Sequence, residues 1–241
     1  MLSIHPPVIG HRGASYYAPE NTIAAFVKAK QLGINWVEFD VMLTACGEVV
    51  VIHDHTLERT TNVKGNVSDF TYEELKKLDA GSWFHPQFHQ EKIPCLQDVL
   101  ALLKQQRLSA NIEIKAQIGK EDIIVKKVLD FIANENSHIL LSSFSLEVMR
   151  AIRKVSDKIQ IGLLIDTWFP GWEKISDELN CVSIHLNQKL LDKENIARMK
   201  AMGKQVLAYT VNDVKRAKEL FSLGVDAIFS DLSEDILTQV V

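Results

Sequence analysis

Strand-like apolar runs alternate with helix-like segments along almost the whole chain, and this alternation restricts the possible fold more than any other feature. Eight runs are short, apolar and rich in β-branched residues: 8–9, 36–43, 110–114, 139–142, 160–165, 181–186, 205–209 and 227–229. Helical periodicity lies between most of them, at 22–32, 96–106, 122–133, 146–155, 193–202 and 214–223. A strand followed by a helix with short connections predicts parallel strands. Eight such units predict an α/β fold that closes into a (β/α)8 barrel.

One segment, residues 54–94, interrupts this alternation. It is loop-rich and contains several Gly, Asn and Pro residues. Immediately before it, residues 44–48 predict a turn that leads into a second strand at 49–53. We therefore expect one domain over residues 1–241, with a small subdomain inserted after the second barrel strand. Excursions of this kind build the carboxyl-terminal face of a barrel, where active sites lie.

The composition excludes several classes of partner. Lys and Arg number 27 against 31 Asp and Glu, so the net charge is −4, and no run is polybasic. This balance argues against nucleic acid or an anionic membrane surface as the main partner. No apolar stretch approaches transmembrane length, and the start of the chain lacks the pattern of a secretory signal. Three scattered cysteines indicate reduced thiols, so we expect a cytoplasmic protein; the sequence predicts no oligomeric state.

Two carboxylates, Glu38 and Asp40, lie on the same face of the second predicted strand, because side chains two residues apart point the same way. Apolar side chains occupy the opposite face. Two acids side by side inside a barrel repel each other unless a cation lies between them. Such oxygen ligands suit Mg²⁺, Ca²⁺ or Mn²⁺. The alternative is a polar strand end that simply faces solvent.

A third strand repeats this arrangement with an acid and a base. Glu113 and Lys115 share one face, and Ile112 and Ile114 occupy the other. Glu113 is a candidate for a third metal-binding carboxylate, and Lys115 for an anion-binding group beside it. A mutual ion pair between the two side chains is the simpler alternative.

Two histidines and an arginine follow apolar runs and are candidates for the same barrel mouth. His11 and His53 suit proton transfer, in which one imidazole accepts a proton and the other donates one. Arg12 offers a planar fork that matches phosphate oxygens. Glu20 either fixes Arg12 or contacts the metal. The residues thus predict a metal-dependent enzyme that binds a phosphate-like anion, and they leave open diester or monoester, hydrolysis or isomerisation.

Four further residues are weaker candidates. Asn21 either caps the first helix or serves the site. His185 ends a predicted strand and is a candidate for the mouth. Trp83 and Phe84 form either an apolar wall over a substrate or part of the core of the inserted segment.

Beyond these single residues, the chain resembles the glycerophosphodiester phosphodiesterase family. The matching stretches occur in the family's order over nearly the whole chain, at 11–26, 37–62, 78–84, 93–96, 111–115 and 208–231. The resemblance implies a TIM barrel with a small inserted subdomain. It also implies a divalent cation, usually Mg²⁺ or Ca²⁺, bound by Glu38, Asp40 and Glu113.

The resemblance further implies roles for the remaining candidates. His11 and His53 match the family's general acid–base pair, Arg12 matches its phosphate-binding arginine, and Lys115 lies where the family stabilises the phosphoryl group. The implied reaction splits a small-molecule glycerophosphodiester into an alcohol and sn-glycerol 3-phosphate. Tyr209 stands where many members have Trp, which bears on the preferred alcohol.

Two other functions compete with this one. The first is a lysophospholipase D-like phosphodiesterase that acts on lysolipids, although secreted relatives of that kind tend to carry disulfides and an export signal. The second is a non-catalytic barrel that binds a phosphate ligand. Such a protein would be expected to lack an acid or a histidine of the set, whereas every position is filled here.

Overall fold

The computed structural model describes residues 3–133 and 138–240, and in these ranges eight parallel strands form a closed barrel. The barrel strands are β1 (Val8–Gly10), β2 (Trp36–Leu43), β4 (Ser109–Ile114), β5 (Ile139–Ser143), β6 (Ile161–Ile165), β7 (Ser183–Asn187), β8 (Gln205–Tyr209) and β9 (Ala227–Ser230). A further strand, β3 (Val49–Val51), pairs with β2 in the antiparallel sense. The β4 to β9 strands pair in chain order, β2 lies between β1 and β4, and β1 pairs with β9. The predicted (β/α)8 barrel is confirmed.

Most of the helices cover the outside of this barrel, and one short helix lies in the inserted subdomain. Within the described residues they are α1 (Ile23–Gln31), α2 (Tyr72–Leu75), α3 (Leu96–Gln106), α4 (Glu121–Ile132), α5 (Leu146–Val155), α6 (Trp172–Glu178), α7 (Lys193–Ala201), α8 (Val214–Leu223) and α9 (Ser233–Val240). All six predicted helices are present. Three of the described helices were not predicted: α6, α9 and, in the segment expected to be loop-rich, α2. The first of these is short and buries only Trp172 and Ser176, so it has little apolar periodicity.

The inserted subdomain follows β3, after the second barrel strand, as predicted. It holds α2 and two short 3-10 helices. A small apolar cluster fills it, formed by Met42, Val50, Ile52, Leu57, Val67, Leu75, Ala80 and Ile93. The β3 strand ends at Val51 rather than at residue 53, which leaves His53 in the loop beyond it. The division into one domain with an insertion at 54–94 stays a prediction.

The main core lies between the barrel strands and the surrounding helices. Alternate residues of β2, Val37, Phe39 and Val41, face this core, and Phe26 of α1 packs on Phe39 with ring centroids 5.4 Å apart. Full burial of each such side chain contributes roughly 1.5–3 kcal/mol. Glu38 and Asp40, which alternate with these residues, therefore point into the barrel. Of the helices described, none is long and apolar enough to cross a membrane.

Candidate active site

Strand register brings three carboxylates together inside the barrel. Asp40 of β2 lies opposite Glu113 of β4, and Glu38 lies opposite Asn111. One oxygen from each of Glu38, Asp40 and Glu113 lies within 4.8 Å of the other two. All three side chains are buried, so the predicted acids do meet and do not face open solvent.

The three acids differ in their tendency to ionise. Burial and the charge of Asp40 raise the pKa of Glu38 to about 8 and also raise the pKa of Glu113. Burial opposes ionisation of Asp40 too, but Lys115 and His53 outweigh it and lower its pKa to about 2. The cluster therefore holds more acid than its protein neighbours neutralise. Convergent, buried carboxylate oxygens of this kind fit a hard divalent cation.

Lys115 lies beside this cluster. Its Nζ is 2.6 Å from Glu113 Oε1 and 2.9 Å from Asp40 Oδ1, so the ion pair considered as an alternative exists. Burial opposes its charge, but Asp40 and Glu113 hold the pKa of Lys115 above its usual value. The ammonium group stays positive, and Lys115 lines the same cavity as the three acids.

His11 follows β1 and is held by an acid from the far end of the chain. Its Nδ1 lies 2.6 Å from Asp231 Oδ1, and Ser15 and Asn212 donate hydrogen bonds to the same carboxylate. Burial lowers the pKa of His11, but the bond to Asp231 and the charge of Glu38 outweigh it and raise the pKa overall. Since Nδ1 is engaged, Nε2 is the ring nitrogen left for chemistry.

His53 has a carboxylate partner of its own, the next residue in the chain. Its Nδ1 lies 2.6 Å from Asp54 Oδ1. Burial lowers the pKa of His53, helped by the charges of Lys115 and Arg12 and opposed by Asp40. The two imidazoles thus share one mode of support, but their pKa values move in opposite directions.

Arg12 adopts a left-handed backbone conformation, with φ 53°, directly after His11. In this conformation its backbone N–H donates to Glu38 Oε2 at 2.9 Å. Its Nη1 donates to Glu20 Oε1 at 2.7 Å, and its Nε lies 3.7 Å from Asp40 Oδ2. Glycine is required at position 13, since a Cβ there would lie 2.7 Å from Ala25 Cβ of α1. The loop after β1 therefore places Arg12 in contact with the neighbouring acids.

Glu20 and Asn21 support these groups from behind. Glu20 binds Arg12 and does not belong to the group of three converging acids, so of the two predicted alternatives the contact with Arg12 is the one found. Asn21 Nδ2 donates to Asp40 Oδ2 at 3.0 Å, and Thr22 rather than Asn21 caps α1. Asn21 therefore serves the site.

All these elements surround one cavity of about 250 Å³. One side, the charged wall, consists of His11, Arg12, Glu38, Asp40, His53, Glu113 and Lys115. The other side, the apolar wall, consists of Phe144, Leu164, Tyr209 and Phe229. Phe144 and Tyr209 pack edge to face with ring centroids 6.0 Å apart. Seven of the eight predicted site residues thus line the cavity, and Glu20 lies behind Arg12.

Three weaker candidates lie elsewhere. His185 does not line the cavity; it is fully buried and its Nε2 is 2.9 Å from Ser183 Oγ. Trp83 and Phe84 pack on each other in the inserted subdomain and do not line the cavity either. The prediction that His185 lines the mouth is therefore wrong, and of the two alternatives for Trp83 and Phe84, packing within the inserted segment is the one found.

The sequence analysis missed three residues that support the site. Asp54 and Asp231 each hold a histidine, and Arg59 binds both Asp54 and Glu20. Asp54 could have been found, because it follows His53 directly. Asp231 is 220 residues from His11, so only the closure of the barrel reveals the pair.

Comparison with known proteins places this geometry in context. Residues 11–234 match the model of the glycerophosphoryl diester phosphodiesterase family. A glycerophosphodiester phosphodiesterase of Caldanaerobacter subterraneus is 37% identical over 97% of both chains, and one of Bacillus altitudinis is 34% identical over 94% of this chain and 95% of its own. The structure of an Oleispira antarctica phosphodiesterase in complex with its product sn-glycerol-3-phosphate superposes with a TM-score of 0.95 and 35% identity, covering 98% of this chain and 96% of that one.

Proposed function

The chain belongs to the glycerophosphoryl diester phosphodiesterase family, and from that premise we propose that it hydrolyses glycerophosphodiesters to an alcohol and sn-glycerol 3-phosphate, using a divalent cation and two histidines. The observation that carries the proposal is the meeting of three buried acids and two carboxylate-held histidines in one cavity. The product bound by the Oleispira antarctica relative supports the choice of product.

Glu38, Asp40 and Glu113 would hold the cation, Mg²⁺ or Ca²⁺. When bound, the ion would withdraw charge from the phosphoryl oxygens. Asn21, which donates to Asp40, and the Arg12 backbone N–H, which donates to Glu38, fix the orientation of two of these carboxylates. Such outer hydrogen bonds keep metal-binding groups in place.

Arg12 and Lys115 would bind the phosphoryl group. Both are positively charged at the cavity wall, and both are held by neighbouring acids. Positive groups fixed before the reaction stabilise the charge that develops on phosphoryl oxygens without having to reorganise. The guanidinium of Arg12 additionally offers paired donors to two oxygens.

His11 and His53 would move the protons. A water molecule attacks phosphorus, one imidazole accepts the proton of that water, and the bond between phosphorus and the alcohol oxygen breaks. The other imidazole, in its protonated form, donates to the departing oxygen, so the products are the alcohol and sn-glycerol 3-phosphate. Asp231 and Asp54 hold each ring with Nδ1 engaged, which leaves Nε2 for this transfer.

We also propose a cytoplasmic location, with a small-molecule substrate rather than nucleic acid as the partner. The cysteines support this, since Cys46, Cys95 and Cys181 are all free thiols. Free thiols persist in reducing compartments. The net charge of −4 likewise disfavours nucleic acid.

The test is the release of sn-glycerol 3-phosphate from glycerophosphocholine and glycerophosphoethanolamine. Wild type and His11→Ala are compared in EDTA, Mg²⁺ and Ca²⁺. We expect release that requires metal and that collapses in the variant. No release from either substrate with any metal would overturn the proposal; activity on lysolipids would then favour a lysophospholipase D-like enzyme, and inactivity on both would favour a binding barrel.

A further inference from the structure

Arg59 lies outside the cavity, yet it donates hydrogen bonds to two carboxylates from different loops, Glu20 and Asp54. These carboxylates bind two residues of the cavity, Arg12 and His53. We propose that Arg59 is a positioning residue, which fixes Arg12 and His53 relative to each other through their carboxylate partners. Its kinetic consequence rests on the function proposed above. Its structural consequence, the placement of an anion-binding arginine, can be measured without turnover.

The first contact of Arg59 is an ion pair with Glu20, in the loop between β1 and α1. Arg59 Nη1 donates to Oε2 at 2.7 Å, and Nη2 donates to Oε1 at 2.8 Å. Two parallel bonds to one carboxylate fix the plane of Glu20 as well as its distance. Glu20 Oε1 also accepts the bond from Arg12 Nη1 at 2.7 Å. The position of Arg12 therefore depends on a carboxylate that Arg59 orients.

The second contact of Arg59 is an ion pair with Asp54, in the loop that follows β3. Arg59 Nε donates to Oδ2 at 2.6 Å, and Nη2 donates to Oδ1 at 3.1 Å. Asp54 Oδ1 is the atom that lies 2.6 Å from His53 Nδ1. A continuous series of hydrogen bonds thus runs from His53 through Asp54, Arg59 and Glu20 to Arg12.

Burial and charge explain why this series controls geometry more than stability. The Glu20 side chain is 12% exposed, whereas that of Arg59 is 42% exposed. Burial opposes the charge of Glu20, but the bonds from Arg59 and the charge of Arg12 lower its pKa. The bond from Arg59 holds the pKa of Asp54 well below its usual range. Because partly exposed ion pairs contribute little to folding, we expect the effect of Arg59 chiefly in the alignment of the site.

The first test is Arg59→Gln, which keeps a polar side chain but cannot hold both carboxylates. We expect kcat/KM to fall at least about tenfold, since small misalignments of reacting groups are costly. Arg59→Lys should recover only part of the loss, because an ammonium group cannot form both forked contacts. The control is Arg198→Gln, which removes a partly exposed arginine paired with Glu173 away from the cavity, and it should leave kcat and KM within twofold.

Two double variants separate the kinetic effect of the contact with Glu20 from that of the contact with Asp54. In an Asp54→Asn background, Arg59→Gln should leave kcat within twofold and still raise KM, because the contact through which Arg59 holds His53 is already lost. In a Glu20→Gln background, the same change should leave KM within twofold and still lower kcat. A purely structural arginine would lower the unfolding midpoint in both backgrounds without this division.

Calorimetric binding of sn-glycerol 3-phosphate distinguishes failure of this inference from failure of the proposed function. We expect Arg59→Gln to weaken its binding at least about fivefold, even if the wild type releases no product from any diester. Wild-type binding together with wild-type kinetics in Arg59→Gln would overturn the positioning role, as would full recovery by Arg59→Lys.

Discussion

The two walls of the cavity belong to one barrel, but one is lined by charged side chains and the other by uncharged ones. On the charged wall, each acid or base is within hydrogen-bonding or ion-pairing distance of another, as with Lys115 between Asp40 and Glu113. The apolar wall, which comes from β6, β8 and β9 and the loop after β5, carries Phe144, Leu164 and other uncharged side chains. The fold supplies strand ends to both walls equally, so the chemistry of each wall is set by its side chains.

A buried histidine behind the apolar wall makes the difference explicit. His185 of β7 packs against Phe229 with ring centroids 5.3 Å apart, and burial lowers its pKa to about 3. The His11 side chain is only 19% exposed, yet Asp231 and Glu38 raise its pKa. An imidazole shielded from most solvent therefore keeps or loses its charge according to its partners, and this barrel provides both environments.

The largest expected effect comes from breaking the charged wall at a histidine. His53→Ala removes the ring that Asp54 holds and should lower kcat by about 10²- to 10⁴-fold, the usual range for a lost acid or base. Steady-state hydrolysis of glycerophosphocholine measures the effect, and the thermal unfolding midpoint serves as the folding control. A fall of less than threefold would remove His53 from the reaction.

A smaller loss should follow when a support is removed and the ring is left in place. Asp231→Asn weakens the hold on His11 Nδ1 and should lower kcat by about a hundredfold, because a misplaced proton-transfer group reacts slowly. Asp130→Asn, at an exposed residue paired with Lys126, is the matched control and should keep full activity. Equal activity in the two variants would contradict the support role.

The apolar wall should respond differently. Phe144→Ala opens the rim beside Tyr209 and should change KM by about tenfold at most, as expected for one aromatic contact, with unequal effects on choline and ethanolamine diesters. The metal concentration that gives half-maximal activity should stay the same. A shift in that concentration, measured by titrating Mg²⁺, would show that the walls are not independent.

The smallest effect concerns stability. The unfolded chain protonates His185 near pH 6.5, but the folded protein keeps it neutral, so acidification favours unfolding. From pH 7.5 to 5.5 this group should cost the wild type about 1.4 kcal/mol of unfolding free energy. His185→Leu should lack that part of the loss, as measured by urea unfolding at both pH values. An identical loss in the two proteins would contradict a neutral His185.

The charged wall could largely be predicted from the sequence, but the residues that hold it could be predicted only in part, as with Glu20 beside Arg12. Glu38 and Asp40 share a strand face, and His11 follows an apolar run, so local pattern was sufficient. The pairing of His11 with Asp231 depends on the contact between β1 and β9, the first and last barrel strands. Phe144 gives no local signal, since an exposed aromatic after a strand is common.

The central claim is that the charged wall works through a divalent cation held by Glu38, Asp40 and Glu113. The most direct measurement is turnover of glycerophosphocholine by protein stripped with EDTA and then titrated with Mg²⁺ or Ca²⁺, in parallel with metal binding by calorimetry. We predict no turnover after stripping, recovery that saturates at one ion per chain, and loss of both binding and recovery in Asp40→Asn. Full turnover by the stripped protein would contradict the claim.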